Sequence, residues 1–145
     1  ATLWNFISHK PLLIGLADPM IKFDNWKGFN WNSLGYSLLS SNGEADGMKT
    51  LWVLVYNSVQ VVSVDSSLQM ISINIRLGDE ILILSFVYAS CSYNTRRLLW
   101  KKLEQVSEDI ENRWVVIGGF NTVLRPEEKL GLHLSCSAAK DIASF

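Results

Sequence analysis

The run from Trp114 to Asn121, Trp-Val-Val-Ile-Gly-Gly-Phe-Asn, limits what this chain can fold into more than any other stretch. A tryptophan and three β-branched residues run, without a charge, into two glycines. Val and Ile are stiff at χ1 and pack well on a pleated surface, so the run predicts a strand buried on both faces. Gly118-Gly119 ends it, with backbone angles closed to other residues. Asn121 then falls just past the carboxyl end of a central strand, where open α/β sheets place their ligands.

The 145 residues suffice for one ordinary domain and not comfortably for two. A hydrophobic share of 48% and a charged share of 19% fit a globular core and exclude a disordered or fibrous chain. The net charge of −1 gives no overall basic field, so a nucleic-acid partner has to be argued from a site. Cys91 and Cys136 read as reduced, buried residues rather than as a disulfide framework, and His9 and His133 have no zinc-ligand spacing. No apolar run approaches the roughly 20 residues that span a bilayer, and no signal peptide is visible. The expected setting is intracellular.

Taken in order, Leu3, Phe6 and Ile7 have helical spacing and Pro11 ends that helix. Leu12 to Ala17 reads as a short buried strand closed by Asp18-Pro19, with Pro19 biasing Asp18 towards extended geometry. Ile21 to Leu34 reads as an aromatic-rich loop with some strand, and Ser40 to Thr50 as a turn cluster. Leu51 to Tyr56, Val59 to Val64, Ile71 to Arg76 and Glu80 to Ala89 read as a run of antiparallel hairpins. Leu99, Leu103, Val106 and Ile110 then recur at helical spacing, with Asn94 or Thr95 able to cap the start. Beyond Asn121 come a charged loop with Pro126 and, from Ser135 to Phe145, the start of a helix.

Asp18, Tyr88 and Asn121 each follow a strongly apolar run and can meet in one crevice. A carboxylate that binds a hard cation, a phenol on a phosphate and an amide that orients a reacting oxygen suit phosphoryl transfer. Spacing leaves the bland readings open: a turn residue for Asp18 and Asn121, an ordinary strand aromatic for Tyr88.

Four segments carry a resemblance. Val115 to Leu124 followed by Glu127-Glu128-Lys129 resembles the hydrophobic-hydrophobic-Gly-Asp-Phe-Asn motif of the endonuclease/exonuclease/phosphatase family. It is most similar to the endonuclease domains of plant LINE-type (non-LTR) retrotransposons. Ile14 to Met20 resembles their Leu-Ala-Glu-Pro segment, Phe86 to Ser90 their Val-Tyr-Ala strand, and Arg96 to Trp100 the start of the helix after it. Order and spacing agree over nearly all the chain.

The resemblance implies a two-sheet α/β sandwich, with residues 1–145 a partial domain truncated at both ends. It implies phosphodiester hydrolysis with a divalent cation, usually Mg²⁺, and DNA as partner. In intact relatives the domain belongs to a polyprotein with a reverse transcriptase, and a working protein would act in the nucleus. Asp18 takes the position of the metal-binding glutamate, Tyr88 that of the tyrosine on the scissile phosphate, and Asn121 that of the asparagine placing nucleophile and phosphate. Arg96 and Arg97 would touch the DNA backbone, which positions a duplex without reading its sequence.

The departures weigh as much. Gly119 stands where the family has the aspartate that orients or deprotonates water, and losing a general base costs about 10² to 10⁴-fold in rate. Asp18 is one methylene shorter than glutamate. The family's first strand, and its later strands with a second aspartate and the histidine, are expected outside this sequence, and His133 cannot replace that histidine. The chain is expected to be an inactive fragment. The alternatives are a nuclease or phosphatase with a metal site rebuilt from Glu127 or Glu128, and a non-catalytic nucleic-acid-binding module. Open edges and apolar faces predict poor solubility or the need for a partner.

Overall fold

Alternating Ile71, Ile73 and Ile75 with Ser72 and Asn74 should give a strand with one apolar face, and that pattern anchors the larger of two sheets. The computed structural model describes residues 8–19, 30–43 and 49–122. Among them β1 (Leu13–Ala17), β2 (Tyr36–Gly43) and β3 (Lys49–Tyr56) form an antiparallel sheet in the order β1-β3-β2. A second sheet has β4 (Gln60–Ser66), β5 (Met70–Leu77), β6 (Glu80–Tyr88) and β7 (Arg113–Gly119) in that order. β4, β5 and β6 are antiparallel, and the helix α1 (Tyr93–Glu108) crosses over to make β7 parallel to β6.

The sheets face each other across a core of Leu51, Val53, Ile71, Ile73, Ile75 and Phe86. On the far face of the second sheet α1 lays Leu99, Trp100 and Leu103 against Met70, Val87 and Ala89. A second packed layer on the first sheet joins Ile14, Trp31, Tyr36 and Leu54, with Trp31 on a short 3₁₀ turn, Trp31–Leu34. Each fully buried Leu, Ile or Val of these layers contributes about 1.5–3 kcal/mol relative to exposure. Between β5, β6 and β7, Trp114 Nε1 donates to Ser85 Oγ at 2.9 Å, and Ser85 and Ser72 share a hydrogen bond of 2.6 Å. The polar alternation of these strands is thereby satisfied where α1 covers it.

Several expectations are corrected. The turn cluster at Ser40 is strand through Gly43, and strand resumes at Lys49. Buried Asn42 donates to the carbonyls of Ser67 (2.7 Å) and Leu68 (3.1 Å), so tertiary bonds fix residues whose local preference is a turn. β3 and β4 do not form a hairpin; the chain changes sheet at Asn57-Ser58, and Val59 and Val61 pack into the core between sheets. β7 is not buried on both faces. Trp114 and Val116 pack under α1, whereas Val115 and Ile117 are 45% and 53% exposed, and among the described residues β7 ends its sheet.

Helix α1 starts after Ser92, which makes no side-chain cap bond, so Asn94 and Thr95 lie inside the first turn. Ile110 falls beyond the helix end. Cys91 is a free, exposed thiol rather than a buried one. The helices expected near Leu3 and after Ser135, the loop with Pro126 and Cys136 lie outside the described residues. Among the described residues no helix is long and apolar enough to cross a membrane.

Candidate active site

Because β1, β6 and β7 end at the same side of the sandwich, the residues after them converge. Asp18 follows β1, Tyr88 ends β6, and Asn121 lies just after β7. Tyr88 Oη donates to Asp18 Oδ2 at 3.2 Å, joining the two sheets. Asn121 Nδ2 donates to the carbonyl of Ala89, and Ala89 N donates to Gly119 O at 2.8 Å. A cleft of about 140 Å³ lies here, lined by Thr50, Gln69, Tyr88, Ser90, Cys91 and Asn121 among others.

Asp18 is not extended as Pro19 suggested. Its φ is 45°, and that of Asn121 is 49°. Asp and Asn enter this left-handed region more readily than other side-chain-bearing residues. At Asp18 the backbone N–H is taken by Thr50 O at 2.7 Å, which holds the turn against the local preference. Strain of this kind costs about 1–3 kcal/mol per residue and gathers at functional positions.

Burial pushes the Tyr88 phenol above its ordinary pKa, and the Asp18 charge, the hydrogen bond to Asp18 and Cys91 push it the same way. The phenol therefore stays protonated and can donate a hydrogen bond. The donor now satisfying Asp18 is the one that an incoming phosphate oxygen would accept from.

Gly118 and Gly119 differ in kind. Gly118 has φ 145°, and a Cβ there would overlap the Val87 carbonyl oxygen, so only glycine fits. A Cβ on Gly119 would meet only Tyr88 Cδ2, at 3.7 Å, an ordinary contact. Position 119 thus has room for an acidic side chain beside the phenol and carries none.

The two arginines also separate. Arg96 is 4% exposed and gives its Nη1 to the carbonyls of Ser90 (2.8 Å) and Cys91 (3.2 Å). That fixes the loop after β6 rather than presenting a cation to a ligand. Arg97 is exposed, its guanidinium 5.9 Å from the Tyr93 ring centre. Sequence reasoning missed Gln69. It accepts from Ser90 N (2.6 Å), donates to Thr95 O (2.8 Å) and holds the same loop from β5. Its only signal was a polar residue opening an apolar strand.

Magnesium demands near-octahedral oxygen ligands, usually one or two carboxylates with waters and substrate phosphates. Here Asp18 offers one carboxylate with one oxygen already taken by Tyr88, Gly119 offers nothing, and the Asn121 amide is turned to Ala89. Among the described residues no three His, Cys, Asp or Glu side chains gather around a metal position. This donor set does not fit a resident ion. Glu127 and Glu128 lie outside the described residues.

The fold is the two-sheet α/β sandwich of the endonuclease/exonuclease/phosphatase type. The endonuclease domain of TRAS1, a telomere-specific non-LTR retrotransposon, superposes with TM-score 0.67 over 94% of this chain and 59% of that one, at 13% identity. D. rerio TDP2 complexed with single-strand DNA product gives 0.64 over 83% of this chain and 52% of that one, at 15% identity. ANGEL2, a 2',3'-cyclic phosphatase, gives 0.62 over 83% and 42%, at 12% identity. The chain therefore spans about half the length of these structures. No family sequence profile and no curated protein sequence matches it.

Proposed function

We propose that this chain is part of a DNA endonuclease domain of retrotransposon type whose site faces a phosphodiester but does not cleave it. The observation that carries this reading is the convergence of Asp18, Tyr88 and Asn121 around a side-chain position vacant at Gly119. Tyr88 and Asn121 are the residues that meet the phosphate, and Asp18 is the remnant of a cation site. Exposed Arg97 contacts the nucleic-acid backbone. The likeness to a retrotransposon endonuclease and to a DNA-bound TDP2 supports this substrate class. No group near the cleft is placed to deprotonate water, because the one carboxylate accepts from the phenol.

The reading is tested by nicking of supercoiled plasmid in Mg²⁺. No nicking is expected from this chain. Nicking that EDTA stops and Asn121→Ala abolishes would overturn the reading. A second reading, a nucleic-acid-binding module, draws on the exposed guanidinium of Arg97. DNA affinity falling steeply with salt, in proportion to the phosphates neutralised, would favour it.

A further inference from the structure

The four outer strands of the two sheets are not alike. β2 carries register shifts near Leu39 and Gly43, and β4 carries one at Val62. Bulges of this kind twist an edge away from further pairing. β1 and β7, stacked on the opposite side of the sandwich, pair with their neighbours without a shift. β1 carries no charge and β7 only Arg113, and neither contains proline. Among the described residues no strand covers their outer edges. Beside them Val115 and Ile117 stand exposed over an apolar cleft of about 180 Å³ that Leu13, Gly15, Ala17 and Phe86 help to line.

We infer that this side of the sandwich docks a second copy of the same chain. A two-fold axis perpendicular to the sheets pairs β1 with β1 and β7 with β7 at once, each antiparallel, whereas a single foreign strand satisfies one edge only. The seam is about 23 Å long and about 20 Å deep, a face of roughly 450 Å², from a strand rise of about 3.3 Å and a sheet spacing of about 10 Å. Standard interfaces hide about 800 Å² of accessible surface per partner, so this seam lies at the smaller end and associates at about micromolar concentration.

Charge complements shape. Arg113, Val115, Ile117 and Gly119 share one face of β7, and residues directly opposite across a strand pair share a face. Full overlap of the two β7 strands sets Arg113 of one protomer across from Gly119 of its partner, at the end where the partner's Asp18 lies. Its present ion pair with Glu80, 3.0 Å long and largely exposed, is one of a kind that contributes little. The net charge of −1 opposes self-association only weakly.

Sedimentation of the full chain over a concentration series tests this, beside Ile117→Lys and Arg113→Glu. A species of twice 16.4 kDa is expected. Ile117→Lys should raise its dissociation constant roughly 100-fold and Arg113→Glu roughly tenfold, as like charges meet. Hydrogen exchange of the unaltered chain gives a reading independent of any variant: protection along β1 and β7, and not β2 and β4, should rise with concentration. A monomer throughout, open-ended aggregates, a dimer unaffected by Ile117→Lys, or protection independent of concentration would overturn the inference.

Discussion

The Tyr88 hydroxyl donates to the Asp18 carboxylate at 3.2 Å, and this bond links the end of β6 in one sheet to the end of β1 in the other. The two residues are 70 positions apart in the chain and meet because both strands run towards the same side of the sandwich. The bond makes the site a coupled unit, whose titration can be followed.

Tyr88 is raised by burial first and by Asp18 second. Asp18→Asn should therefore lower the Tyr88 pKa without returning it fully to the ordinary value of 10.0, as read from ultraviolet difference spectra against pH. A group whose folded pKa is raised adds stability that is whole below its unfolded pKa and is lost as pH rises through the folded one. Stability should thus decline above about pH 10, where buried Tyr36 adds to the same trend. In Asp18→Asn the Tyr88 part of that decline should shrink.

The two adjacent glycines should respond in opposite ways. Gly118→Ala forces a Cβ onto the Val87 carbonyl at positive φ, so urea melts should show a loss well above 1 kcal/mol, roughly. Gly119→Ala meets only an ordinary contact and should change stability by no more than about 0.5 kcal/mol.

Much of this was legible from the chain and some was not. The strand at Trp114, the glycine pair and the strand-end positions of Asp18, Tyr88 and Asn121 could be read because apolar runs and their stops are local signals. The burial of β7 could not, because an apolar run says that a strand wants cover and not whether cover is supplied. β2 was hidden behind Ser40, Ser41 and Asn42, whose strand geometry rests on bonds to a turn more than 20 residues away. The same holds for Arg96, which looks like its neighbour Arg97 until the fold buries one of them.

Those two arginines should part company experimentally. Arg96→Ala strips two buried carbonyls of a charged donor and should cost about 1.5–3 kcal/mol in denaturant melts. Arg97→Ala removes an exposed stacking contact with an effect near 0.5–1 kcal/mol at most, roughly. If DNA binds, Arg97→Ala should also reduce the salt slope of affinity by about one.

The central claim is that the site keeps its phosphate-facing residues and has lost its cleavage chemistry at position 119. The most direct measurement sets this chain beside Gly119→Asp in Mg²⁺-dependent nicking of supercoiled plasmid. Position 119 has room for the acid, so the variant should fold. The account predicts silence from the unaltered chain, and silence from the variant too, since one restored acid still leaves a poor cation site. Nicking by the variant alone would make Gly119 the sole lesion. EDTA-sensitive nicking by the unaltered chain would contradict the claim.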